Sequence, residues 1–172
     1  DHGPPLYCSS MVPEAERGNQ GYFWCRDQPG GPHWAAMTTA LSHGYRVMAG
    51  HNYGDMSAVY YMDVMDEAMK MNPEITLDYI RKLRMSADHG GLYPRPDQIA
   101  RIKKMGMILS MGSQSMSRSL PWIQKYGFEK YQGWVVPVKR VLDAGVKVAW
   151  EGEGGWKGGL FGNLMVPFLT RK

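Results

Sequence analysis

Two histidines in this chain each follow an apolar run, and each has a carboxylate nearby. "RVMAGHNYGD" (46–55) runs apolar to His51 and reaches Asp55 four residues later; "LRMSADHGG" (83–91) carries Asp88 and His89 side by side. A third run, "VKVAWEGEGG" (146–155), brings Glu151 and Glu153. Imidazole nitrogen and carboxylate oxygen together form the usual donor set of a catalytic zinc or similar divalent ion. A coordination position left open at such an ion holds a water of lowered pKa, ready to attack. Each residue also has a plainer role. A histidine at a strand end is often just a hydrogen-bonding group. Asp55 either caps the helix that follows or stands behind a ligating imidazole and orients it. Asp88 either orients a neighbouring ligand or faces solvent. His2, His33 and His43 have no such placement and read as surface residues. Trp134, Trp150 and Trp156 line a pocket or pack in the core.

These residues form a site only if the elements that carry them bring them to one rim. Helical patterning covers 33–44, stopping at Gly44, then 55–71, with Asp55 and Ser57 as candidate N-caps and Asn72-Pro73 as the stop. It returns at 95–106, with a proline near the start and Gly106 at the end, and at 127–145, interrupted by Gly133 and Pro137. Short apolar strands are expected at 45–50, 83–88, 107–112 and 146–152. Helix and strand thus alternate four times with short connections, which implies parallel strands joined by helical crossovers. The fold class is α/β, either an open doubly wound sheet or part of a (β/α)₈ barrel. In both, ligands bind at the carboxyl ends of the strands, where His51, Asp88-His89, "GSQS" (112–115) and Glu151 with Glu153 would meet. No strand leads into a glycine-rich phosphate fingerprint; "GEGGWKGG" (152–159) has neither the P-loop ending nor dinucleotide spacing, which argues against a nucleotide binder. Residues 1–33, rich in Gly, Pro and Asn, read as a long loop with at most one short strand, "YFWC" (22–25), ahead of the regular region 34–172.

The 172 residues, 44% hydrophobic and 21% charged, are a globular mixture large enough for one domain with a core. The net charge of +4 comes without a basic stripe, "IRKLR" (80–84) being the densest cluster, so nucleic acid is not an expected partner. No apolar run approaches the roughly 18 residues that span a bilayer, and no membrane partner is expected. Cys8 and Cys25 form one bridge or remain two thiols. The 14 methionines suit irregular core packing and show no copper-site spacing. The chain opens without Met or a basic-then-apolar leader, which leaves open a removed leader or a preceding region.

As a set, these strand ends resemble the amidohydrolase superfamily, in particular its family-3 branch of metal-dependent amide and formamide hydrolases. "HNYGD" (51–55) resembles that branch's "HAIGD" after strand five, and "LRMSADHGG" (83–91) its "R-IEHA" after strand six. "RPDQIARIKKMGM" (95–107) is similar to "PDDIPRFAELGV", "ILSMGSQS" (108–115) to "IASMQPSH", and "VLDAGVKVAWEGEGG" (141–155) to "LLDAGVRVAFGSDWP". The likeness keeps order and spacing from residue 17 onward. It implies a (β/α)₈ TIM-type barrel to which this chain supplies strands five to eight. It also implies a divalent metal, zinc, as one or two ions. His51 and His89 map to two ligands, and Glu153 to the strand-eight carboxylate that binds metal and shuttles protons, with Glu151 its rival. The chain departs from the family in having Glu for Asp there and no histidine in "GSQS". The first-strand HxH and the strand-four lysine are missing, and "DHGPP" (1–5) looks like the loop after strand four. The other half of the barrel is then expected from a longer chain or a second polypeptide, with a homo-oligomer as one form. The implied activity is hydrolysis of an amide-like C–N bond in a small molecule. The alternative is a metal-free barrel of the same lineage with a structural or binding role.

Overall fold

The computed structural model describes residues 9–13, 29–47 and 51–151, with residues 51, 114 and 117 described through their backbones alone. Helix α1 (Pro32–Ser42) starts on a proline and is followed by Gly44 at φ 84°, a left-handed residue that suits glycine. Strand β1 (His51–Gly54) leads directly into α2 (Asp55–Met71), the longest helix among the described residues. In α2, Ala58, Met62, Met65 and Ala68 recur every three or four residues, and all are buried. On its solvent side Lys70 pairs with Glu67 at 3.0 Å. One apolar stripe thus fixes both the helix and the face it buries. Gly54 is the N-cap, and no side chain makes a cap bond. Asp55 therefore does not cap the helix as expected; it occupies the first helical position, where the helix dipole favours its charge.

Helix α3 (Leu77–Leu83) is capped by the Thr76 hydroxyl, which accepts from the Tyr79 N–H at 3.2 Å. Strand β2 (Ser86–Leu92), a 3₁₀ turn at Pro96–Gln98 and α4 (Ile99–Met105) follow. Then come β3 (Ile108–Gly112), α5 (Gln114–Tyr126), α6 (Phe128–Tyr131), a second 3₁₀ turn at Gln132–Trp134, α7 (Val138–Asp143) and β4 (Lys147–Glu151). The four strands form one all-parallel sheet in the order β1-β2-β3-β4. This is the α/β alternation expected from the sequence.

One face of the sheet carries the core. Ala87, Leu109 and Met111 are fully buried in a cluster with Leu41, Met62, Met65, Ile102, Met105 and Val141 from the helices. The opposite side is more open: along β3, Ile108 and Ser110 are half-buried, and along β4, Lys147 and Ala149 are exposed. Among the described residues the sheet does not close, since β1 and β4 each have a single strand neighbour. No helix among the described residues is long and apolar enough to cross a membrane.

Two strand boundaries differ from expectation. His51 opens the described part of β1 instead of closing a strand at 45–50, and β2 continues past His89 to Leu92. Helices α3 and α5 lie where none was expected. Helix α5 holds three serines and Pro121, all poor helix formers, so local propensity conceals it. The expected "YFWC" strand, the "GEGGWKGG" loop, Cys8 and Cys25 lie outside the described residues.

Candidate functional site

The site begins with an irregularity in β2. Asn52 pairs with His89 and Gly54 with Leu92, so two steps along β1 face three along β2. The extra residue falls where His89 and Gly90 adopt φ of 74° and 59°. For a histidine this left-handed backbone is unfavourable by about 1 kcal/mol. A bulge of this kind re-aims a side chain that regular alternation would send elsewhere. A Cβ on Gly90 would lie 2.7 Å from Met111 Cγ, so glycine is also what lets β2 sit this close to β3.

The re-aimed imidazole is buried and held on two sides. Its ring stacks on Tyr53 of β1, with centroids 4.6 Å apart and planes 11° from parallel. Its Nδ1 lies against a carboxylate oxygen of Glu151 on β4. The same carboxylate accepts from the His89 backbone N–H at 2.8 Å and from the Ser110 hydroxyl of β3 at 3.1 Å. Glu151 thus ties together β2, β3 and β4 at their carboxyl ends. Burial pushes the Glu151 carboxyl pKa up, but the His89 ring and N–H and the Ser110 hydroxyl outweigh this and hold it below the ordinary value. Asp88 moves the other way: burial and then the Glu151 charge raise its pKa, with His89 offsetting part of the rise. The two carboxyls share one neighbourhood and are shifted in opposite directions, a separation found at acid/base sites. Beneath them the fully buried Tyr93 hydroxyl donates to the Asp88 carbonyl and accepts from the Gly90 N–H. At the rim, Arg118 of α5 donates to the Tyr53 hydroxyl at 2.8 Å.

The other expected residues fall as follows. His51 is the register partner of Asp88 in the neighbouring strand. Glu153 lies outside the described residues, so the structure describes only the rival carboxylate, Glu151. The Asp55 side chain belongs to a different group. It accepts from the Ser9 hydroxyl (2.8 Å), the Ser10 N–H (2.9 Å) and the Ser10 hydroxyl (2.7 Å), and pairs with Arg95. Gln98 donates to the Asp55 carbonyl at 2.9 Å. This network ties residues 9–10 and the segment after β2 to the start of α2. Trp134 has Arg95 over its ring, 5.8 Å from the centroid, and packs edge-on against Tyr131.

Comparison with protein-family models finds no match, and neither does comparison with curated proteins or with solved structures. The chemistry therefore rests on the donors themselves. Among the described residues no three His, Cys, Asp or Glu side chains are grouped to hold a metal. His89 has the surroundings of a ligand, a carboxylate on one ring nitrogen that fixes which nitrogen remains to bind. Asn52 Nδ2 and the Ser115 and Ser119 hydroxyls are buried without hydrogen-bond partners among the described residues. Asn52 lies beside His89 in the sheet register. Buried groups of this kind are normally satisfied by water or a ligand.

Tyr53, Ser110, Arg95 and Arg118 did not emerge from sequence reading. Tyr53 lies inside "HNYGD" and Ser110 inside "ILSMG", and period-2 alternation could have placed Ser110 with a β4 residue across the sheet. Arg95 and Arg118 act over 40 and 65 residues of separation and leave no local signal.

Proposed function

We propose that this chain forms the strand five-to-eight half of a (β/α)₈ barrel hydrolase of amidohydrolase type, cleaving an amide-like C–N bond in a small molecule. The observation that carries the reading is the grip of Glu151 on His89 at the carboxyl end of a parallel sheet, with His51 one strand away beside Asp88. With Nδ1 committed to a carboxylate, the imidazole offers Nε2 as its remaining donor. His89 and His51 would hold a divalent ion, zinc in one or two copies, with Glu153 as the third donor. Such an ion supplies a water of lowered pKa and polarises the substrate carbonyl. The rest falls to the chain. Glu153 takes the proton of the attacking water and returns it to the departing nitrogen, giving an acid and an amine. Tyr53 and Glu151 keep His89 from turning. The other half of the barrel comes from a longer chain or a second polypeptide, a second copy included.

The test is metal content and turnover of the full-length protein. Elemental analysis is expected to find one or two equivalents of zinc, lost in both His51→Ala and His89→Ala. Hydrolysis of N-formyl and N-acyl substrates should disappear with the metal. A protein that takes up no divalent ion when supplied with zinc sinks the reading. That outcome would favour the metal-free barrel, which draws on the lack of a three-donor group among the described residues.

A further inference from the structure

At the amino ends of the strands, opposite the His89 group, lies a groove of ≈ 650 Å³ lined by Arg81, Arg84, Lys103, Lys104 and Lys147, with no acidic residue in its lining. These five come from α3 and the residue that ends it, from α4 and from the start of β4. Backbone contacts hold the cluster together. The Arg81 Nε donates to the Lys104 carbonyl at 2.9 Å, and its side chain lies on Gly106, where a Cβ would approach its Cγ to 2.9 Å. The Lys103 ammonium reaches across to the turn before β4, 3.3 Å from where a Gly145 Cβ would stand. Arg46 donates to the Arg84 carbonyl at 2.8 Å and adds a sixth cation at the edge.

The pairing of charges is uneven over the described surface. Away from the groove, Lys70 pairs with Glu67, Lys139 with Asp143, Arg101 with Asp63 and Asp66, and Arg95 with Asp55 and Asp97, whereas among the described residues Lys82, Lys130 and Arg140 pair with no carboxylate. In the groove only Arg81 has a partner, Asp78, which lies on its own helix. Among the described residues no carboxylate pairs with Arg84, Lys103, Lys104 or Lys147. Unneutralised like charges around a concavity focus a positive potential and repel one another, and a polyanion relieves both. The groove's volume is within the range of small-molecule sites, roughly 300–1,000 Å³.

We propose that this groove binds a small molecule carrying several phosphate groups, at a site separate from the His89 end and independent of the hydrolase reading. Inorganic tripolyphosphate serves as the probe, titrated calorimetrically into the full-length protein at ionic strength held constant with sodium chloride. Saturable one-to-one binding is expected. The triple variant Lys103→Gln, Lys104→Gln, Lys147→Gln should weaken it by about tenfold or more. Lys70→Gln, Lys125→Gln, Lys139→Gln removes the same charge elsewhere and should leave it intact. All three groove lysines are exposed, so the fold should survive, and the corresponding triple Arg variant should keep affinity. Equal weakening in both glutamine variants would show a net-charge effect only and overturn the proposal. So would an absence of saturation, or tighter binding of single-stranded oligonucleotide than of tripolyphosphate at equal phosphate concentration.

Discussion

Glu151 holds His89 at two points, accepting from the backbone N–H at 2.8 Å and pairing with the ring Nδ1, although 62 residues separate them. The double grip fixes both the position of the residue and the rotation of its ring, and it spans the sheet from β4 to β2. Ser110 of β3 donates to the same carboxylate and completes the bridge.

Replacing Glu151 with Ala should leave a buried N–H and a buried imidazole nitrogen without their acceptor. The expected loss is about 1–3 kcal/mol, read from urea denaturation. Glu151→Gln keeps one acceptor oxygen and should cost less. If His89 is a ligand, either change should also weaken divalent-ion affinity by about 10–100-fold while the protein remains folded. A simple structural bridge would show the stability loss with no change in ion affinity.

The two carboxyls beside His89 should give stability opposite pH dependences. The folded-state pKa of Glu151 lies below its ordinary 4.5. Its contribution is therefore fully present above that value and is lost as pH falls through the folded pKa. Asp88 is raised above its ordinary 3.8, so its contribution is present below that value and is lost as pH rises through the folded pKa. Glu151→Gln should flatten the acid-side loss of stability, whereas Asp88→Asn should stabilise the protein at neutral pH. Melting curves between pH 3 and 7 for both variants check the signs, and matching shifts in the same direction would contradict this account.

The alternation of helix and strand is legible because its punctuation is local: Gly44, Asn72-Pro73, Gly106 and Gly145 each stop a helix where apolar periodicity ends. The bulge is not legible in that way. "DHGGL" has two glycines and reads as a strand end, yet pairing with β1 carries it two residues beyond Gly90 as strand. Asp55 shows the same limit from the other side. Its place before a helix suggests a cap, but Ser9, Ser10 and Arg95, distant in sequence, take its oxygens instead. Local chemistry singles out Asp55, and tertiary contacts decide what it touches.

The Asp55–Arg95 pair yields a stability prediction that does not depend on function. Asp55 is fully buried and Arg95 mostly so. Arg95→Ala would remove the cation and leave the carboxylate to the Ser9 and Ser10 donors alone. A loss of about 3 kcal/mol is expected, as for breaking other buried pairs from one side. Arg95 also binds Asp97 with two nitrogens, at 3.0 Å each, so Arg95→Lys should recover only part of the loss. Denaturation of Asp55→Asn, of Arg95→Ala and of the double variant measures the coupling; additive losses would show that the pair is not a unit.

Gly90→Ala tests whether the bulge sets the aim of His89. At φ 59° alanine is disfavoured by about 1 kcal/mol relative to glycine. The new Cβ would also stand 2.7 Å from Met111 Cγ and 3.3 Å from Met111 Cα. The first contact yields if the Met111 side chain turns, but the second is with backbone and requires β2 and β3 to move apart. That movement should loosen the Glu151 hold on His89, because Glu151 is positioned from β4 through β3. Stability should fall by about 1–3 kcal/mol, and the His89 imidazole ¹⁵N resonances should shift from those of the wild type. Gly127→Ala is a control for backbone strain without a clash: φ is 131° and a Cβ there meets nothing closer than 3.9 Å. Its backbone penalty should be at least as large as that of Gly90→Ala, and it should leave the His89 resonances in place. Unchanged imidazole signals in Gly90→Ala would separate the bulge from the site.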